Sequence, residues 1–196
     1  MVDVIAGIFI GGGATRFGGI AKGLLEAPDG TGKVIQRLVN LLRELHVPSV
    51  FVASRADHPY EMVGLPTILD RSEGVEKLGP LGGFLALYEH ALRAGSGRVV
   101  ALACDMPFVS RATLERLVGC DAAVAAARRD GRWEPFLSVH DARIMRPRAE
   151  ANAAAGRRAL QALFDGAAEL PVDAHELEDW DSPEDVARTI PIRTMS

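Results

Sequence analysis

Short, apolar, β-branched runs alternate along this chain with segments whose apolar residues recur every three or four positions. Such alternation predicts repeated βαβ units and a mostly parallel sheet. Val4 to Ile10 is a β-branched run ended by Gly11, Gly12 and Gly13, after which Val34, Ile35, Leu38, Val39, Leu42 and Leu45 recur at helical spacing. Ser49 to Ala53 predicts a second strand, Thr67 to Leu69 a short third, Phe84 to Leu92 a helix, and Arg98 to Ala103 a buried central strand. Ser110 is placed to cap a helix carrying Leu114, Leu117 and Val118. Asp121 to Ala127 and Pro135 to His140 read as two further strands with Gly131 turning between them, although their alanines are poor strand formers. Ala149 to Phe164 is helical on both sides of Gly156, and Ser182, Pro183, Glu184 and Asp185 supply a cap, a first-turn proline and two first-turn acids. The expected class is α/β, a three-layer α/β/α arrangement on a Rossmann-like sheet. With 196 residues and no linker or repeat, residues 1–196 are expected to form one domain.

Composition narrows the partners. The 22 Lys+Arg against 26 Asp+Glu leave a net charge of −4, with no basic block, so neither nucleic acid nor an anionic membrane is an expected partner. No apolar run approaches the ~20 residues of a membrane-spanning helix, and the opening MVDVIAGIFI lacks a basic leader, so a cytoplasmic location is expected. Cys104 and Cys120 fit neither a disulfide framework nor a zinc spacing and are expected to be reduced thiols. The five histidines form no ligand pair at zinc spacing, and Trp133 and Trp180 suit packing as well as stacking.

Two segments carry chemistry. Residues 9–26, FIGGGATRFGGIAKGLLE, hold six glycines and two cations directly after the first strand. Backbone N–H groups in such a loop can approach an anion closely, and its position sets it at the carboxyl edge of the sheet, where α/β proteins bind ligands. Phosphate is the expected guest, a flexible turn the alternative. A dinucleotide fingerprint fails, because Arg16 stands where its third glycine or alanine belongs. A P-loop fails as well: Gly32-Lys33 is followed by Val34. The second segment is Ala103-Cys104-Asp105-Met106-Pro107. An acid ending an apolar strand needs a partner to offset its desolvation, and Mg²⁺ suits it because that ion takes one or two carboxylates and completes its shell with waters and phosphates. A strand-end turn is the alternative for Asp105.

These motifs, Ile10-Gly11-Gly12 followed by Arg16-Phe17-Gly18 and Lys22, then Gly79-Pro80-Leu81-Gly82-Gly83, Cys104-Asp105-Met106-Pro107 and Ser182-Pro183-Glu184-Asp185, resemble in order those of the molybdenum cofactor guanylyltransferases. That family belongs to the larger group of nucleotidyltransferases of the nucleotide-diphospho-sugar transferase type, which also holds cytidylyl and sugar-nucleotide enzymes. The resemblance implies GMP transfer from GTP to molybdopterin, with pyrophosphate released and Mg²⁺ required. It implies Arg16 and Lys22 as triphosphate-binding cations, Asp105 as the metal-binding aspartate, and Gly11, Gly12, Gly13, Asp70, Gly79 and Gly82 around the nucleotide. Asp179 and Asp181 stand where the family often has asparagines; an acid at Asp181 is suited to serve as a second metal ligand, with an extension of the Ser182 cap the alternative, while Glu134-Pro135 and Gly156-Arg157-Arg158 resemble segments on the acceptor side. Molybdoenzymes or cofactor-delivery proteins are the implied partners, and a monomer or weak homo-oligomer the implied state.

Two positions depart from that pattern: Ala21 stands where the family usually has an aspartate, and Ile10 where it has a small residue. A cytidylyltransferase or other small-molecule nucleotidyltransferase, or a non-catalytic nucleotide-binding homologue, are the competing functions. Convergence of Lys22 and Asp105 across a cleft would favour an enzyme. A glycine loop with little side-chain bulk leaves room for a purine and exposes backbone groups to guanine's edge, so GTP is expected over CTP, with Ile10 acting against that preference.

Overall fold

In a computed structural model of the chain, the residues described are 4–10, 21–73, 76–178, 180 and 186. The main sheet has seven strands in the order β3-β2-β1-β6-β8-β7-β9. These are β1 (Val4–Phe9), β2 (Ser49–Ala53), β3 (Thr67–Leu69), β6 (Arg98–Ala103), β7 (Val124–Arg129), β8 (Arg132–Asp141) and β9 (Ala168–Glu169), while β4 (Ser72–Glu73) and β5 (Glu76–Lys77) form a separate hairpin. Pairings β3-β2, β2-β1, β1-β6 and β7-β9 are parallel, and β8 runs antiparallel to both of its neighbours.

The layers follow from the two periodicities. Along β1, Val4, Ala6 and Ile8 point into one core and Ile5 and Phe9 into the other, as alternating strand positions must. The first core is covered by α1 (Val34–Glu44) through Ile35, Leu38 and Leu42 and by α3 (Arg111–Gly119) through Leu114 and Leu117. The second lies under α2 (Pro80–Arg93), by way of Phe84, Leu87 and Tyr88, and α4 (Ala142–Ala154), by way of Met145 and Ala149. Both faces of the sheet are therefore buried, which explains why its central strands read as continuous apolar runs. This is a three-layer α/β/α architecture.

Local chemistry sets the element ends, and two helices begin earlier than their periodicity predicts. α2 starts at Pro80 because a proline at the first helical position forfeits no hydrogen bond. α4 starts at Ala142, where Asp141 accepts from the amides of Arg143 and Ile144 at 2.8 and 3.3 Å. Its C-terminal end falls before Gly156, at φ 69°, and a 3-10 turn over Leu160–Phe164 continues beyond. Ser110 caps α3, accepting from Thr113 N–H at 3.1 Å. Asp130 and Gly131, at φ 49° and 77°, make the two-residue turn that closes the β7-β8 hairpin. The helix start at Ser182–Asp185 lies outside the described residues.

Across the second core runs a buried polar chain. Ser138 O–H donates to Pro135 C=O at 2.5 Å, so its oxygen accepts from His140 Nε2–H at 2.8 Å. His140 Nδ1 then accepts from Tyr88 O–H at 3.0 Å. The geometry assigns the Nε2–H tautomer, and every member has a partner. Burial, aided by the charge of Arg98, pushes the His140 pKa down to about 3.

Candidate functional site

Four parallel strands end on one edge of the sheet, and β6 delivers Asp105 there. The 3-10 turn Lys22–Leu24 delivers Lys22 to the same place. Lys22 Nζ lies 3.1 Å from Asp105 Oδ2, and the two side chains are 20% and 22% exposed. A pair open to this degree is reached by solvent and ligands, unlike a core ion pair. Lys22 and Asp105 thus meet at the carboxyl edge of the sheet from positions 83 residues apart.

Beneath the pair lies a group that local sequence patterns give no reason to select. Gly23 N–H donates to Tyr60 Oη at 3.3 Å, and Tyr60 Oη lies 3.6 Å from Cys104 Sγ. A Cβ on Gly23 would come within 2.9 Å of the Tyr60 ring and 3.0 Å of the Cys104 carbonyl oxygen. Only glycine fits there. Burial raises the phenol of Tyr60 well above its ordinary range and, together with the negative charge of Asp105, pushes the Cys104 thiol up to about 12. Both stay protonated at neutral pH.

Residues implied by the resemblance to border a nucleotide spread along the same edge. Asp70 follows β3, is half-buried, and donates its N–H to Ala53 C=O at 2.9 Å. Three strand spacings set it about 14 Å from Asp105. Gly79 precedes α2 with φ 60° and ψ −144°, a conformation closed to other residues, and its Cβ position faces open space. Gly82 has a different reason to be glycine. It is buried, its carbonyl accepts from Arg71 N–H at 3.1 Å, and an added Cβ would collide with the Arg71 carbonyl oxygen. Gly11, Gly12, Gly13, Arg16 and Asp181 lie outside the described residues.

The segment just after Asp105 is held by distant groups. Glu176, 8% exposed, accepts from Ser110 N–H at 2.7 Å and from Thr113 O–H at 3.0 Å, supplying the start of α3 with a second cap from 66 residues away. Phe108 packs between His175 at 4.1 Å and Trp180 at 6.0 Å, and Arg37 donates to Val109 C=O at 2.8 Å. Of the residues that resemble acceptor-side segments, Glu134 pairs with Arg129 at 2.6 Å and Arg157 donates twice to Asn152 Oδ1. Phe136 packs on Phe9 and Phe84 at 5.0 and 6.0 Å. Trp133 stacks on Phe164 at 6.0 Å, so both tryptophans pack in the fold.

Asp105 is the residue at this edge that could hold a divalent ion such as Mg²⁺. Asp105 offers a hard, partly accessible carboxylate, and no three His, Cys, Asp or Glu side chains converge into a metal cage among the described residues. Such a site suits an ion completed by phosphates and waters.

Residues 6–171 match the family model of the MobA-like NTP transferase domain. The chain belongs to this family. The molybdenum cofactor guanylyltransferase of Rhodobacter capsulatus is 33% identical over 186 residues, covering 94% of each protein. The namesake from Pseudomonas entomophila is 31% identical over 187 residues, covering 90% of this chain and 93% of its own. Among solved structures, molybdopterin-guanine dinucleotide biosynthesis protein A from Archaeoglobus fulgidus superposes with a TM-score of 0.68 at 21% identity, over 94% of this chain and 96% of that one, which shows the shared fold. As a MobA-like NTP transferase, the chain is a nucleotidyltransferase. The structure brings together Lys22 and Asp105, both singled out in the sequence, and adds Tyr60 and Glu176, whose partners lie 37 to 66 residues away and leave no local signal.

Proposed function

We propose that this chain transfers the GMP group of GTP to the terminal phosphate of molybdopterin. A phosphate oxygen of the acceptor attacks the α-phosphorus, the bond from that phosphorus to the bridging β-phosphate oxygen breaks, and pyrophosphate leaves with the electron pair. The product carries a new P–O–P linkage. A terminal phosphate is already largely anionic at neutral pH, so the protein supplies position and charge stabilisation rather than a general base.

The observation that carries this reading is the Lys22–Asp105 pair at 3.1 Å on the ligand edge. Asp105 holds the ammonium in place before substrate arrives, so the cation meets the charge growing on the α-phosphate and the departing pyrophosphate without reorganising. Asp105, with Asp181 as a second ligand, would hold Mg²⁺, which would supply neutralisation of the phosphate charge. Arg16 and the backbone of Gly11, Gly12 and Gly13 take the triphosphate. Asp70, Gly79 and the turn that Gly82 permits border the nucleoside. The edge from Asp70 to Asp105 is long enough for base and ribose at one end and phosphates at the other.

No described helix is long and apolar enough to cross a membrane. The proposed setting is a single domain acting in the cytoplasm as a monomer or weak homo-oligomer, its product passing to molybdoenzymes or cofactor-delivery proteins. The test is pyrophosphate release with molybdopterin, Mg²⁺ and each of GTP, CTP, ATP and UTP. Release with GTP, abolished by a chelator, is the expected result. Preference for CTP would move the activity to the cytidylyl branch, and no release with any nucleotide would leave a binding homologue.

A further inference from the structure

Lys22 and Asp105 sit on two segments with no covalent reason to stay in register: a single 3-10 turn after the glycine loop, and the residues leaving β6. The ion pair cannot set the separation alone, because a pair partly reached by solvent gains little and is loosened by it. Something below must fix the two backbones. One side chain touches both. Tyr60 Oη accepts from the N–H of Gly23, the residue after Lys22, and contacts Sγ of Cys104, the residue before Asp105. Its ring is 3% exposed and packs beside Phe51 at 5.9 Å, so the hydroxyl is presented from a rigid base. The missing Cβ of Gly23 allows this approach, and any larger residue would push the turn off Tyr60 and the Cys104 carbonyl.

We propose that Tyr60 is a positioning residue that sets the separation and aim of the Lys22–Asp105 pair by tying the residue after the lysine to the residue before the aspartate. It touches no reacting atom. It deepens the proposed nucleotidyl transfer, and its kinetic arm rests on that reading.

The experiment uses Tyr60→Phe, which keeps the ring and deletes the oxygen. The variant is expected to melt within about 5 °C of the parent, since one hydrogen bond is lost from a filled site. Its kcat for pyrophosphate release from GTP is expected to fall roughly tenfold to a hundredfold, the effect of a small misplacement of a catalytic group, with KM for GTP within about twofold. If Tyr60 acts through Lys22, the double variant Tyr60→Phe/Lys22→Ala turns over no more slowly than Lys22→Ala alone. Gly23→Ala, which disturbs the same contact from the other side, is expected to reproduce the kcat loss and serves if Tyr60→Phe does not fold.

A second readout needs no turnover. The chain has three lysines, Lys22, Lys33 and Lys77, so acetylation by acetic anhydride can be followed for each by peptide mass spectrometry. Lys22 is expected to label several-fold faster relative to Lys33 in Tyr60→Phe than in the parent. Unchanged kcat, multiplicative losses in the double variant, or an unchanged labelling ratio would each overturn the positioning role. Should the parent protein release no pyrophosphate, the proposed function falls while the labelling ratio still decides whether Tyr60 holds Lys22.

Discussion

Lys22 and Asp105 owe their proposed roles to different physical terms, so their substitutions should separate. Lys22→Ala removes a cation whose interaction strengthens as charge moves onto the departing pyrophosphate, and kcat is expected to fall by about 10² to 10³ with KM for GTP little changed. Steady-state kinetics checks it, and a raised KM at unchanged kcat would mean ground-state binding only. Asp105→Asn keeps the size of the side chain and an oxygen for Lys22 but removes the charge that would hold a divalent ion. Mg²⁺-dependent turnover is expected to vanish while circular dichroism and thermal midpoint stay near those of the parent; a variant with near-normal activity ends the metal assignment. Both residues could be singled out in the sequence because Lys22 closes the glycine-rich segment that follows β1, and Asp105 follows β6 beside Cys104 and near Pro107, in a recognisable order. Tyr60 and Glu176 stand in no such order. They act through contacts formed only after the chain has folded back on itself.

Helix starts are the weakest links among the elements, because each leaves unsatisfied amides that another part of the chain must meet. For α3, Glu176→Ala would strip two hydrogen bonds from Ser110 and Thr113. The expected cost is about 1 to 3 kcal/mol, or roughly 5 °C in thermal midpoint, with Glu176→Gln losing clearly less because one amide oxygen still accepts. Thermal melts of the three proteins make the comparison, and equal midpoints would show that Ser110 alone suffices. For α2, Gly82→Ala would force a methyl against the Arg71 carbonyl and is expected to lower the midpoint even though alanine is the better helix former. The strands were readable from β-branched runs such as Val4–Phe9 and from the Gly131 turn. The first turn of α2 was not, since Pro80-Leu81-Gly82-Gly83 has the composition of a loop and becomes helical only because its glycines let it pack against Phe9 and Arg71.

Folding stability of the whole molecule should carry the signature of His140. Unfolding returns its pKa from about 3 to 6.5, so between these values the unfolded chain binds one more proton than the native one and stability rises with pH. The contribution is complete above pH 6.5 and lost as the pH falls toward 3. At pH 5 the loss is about 2 kcal/mol. Denaturant titrations of the parent and of His140→Gln at pH 7 and pH 5 test this: the parent should lose about that much more than the variant, and parallel slopes would refute it. The direction of β8 has a consequence of another kind. Because this strand reverses the sense of the sheet, one flank of the ligand edge is drawn from a single uninterrupted hairpin, residues 124–141, with its turn at Asp130 and Gly131. The opposite flank draws on separate positions that come after β1, β3 and β6, such as Lys22, Asp70 and Asp105, far apart in the chain. An insertion of two residues at the hairpin tip preserves the in-and-out alternation on both of its strands. Evolution or an engineer could therefore exchange the wall on that side as one cassette, tuning what the enzyme accepts while the parallel half that would grip the nucleotide is inherited unchanged.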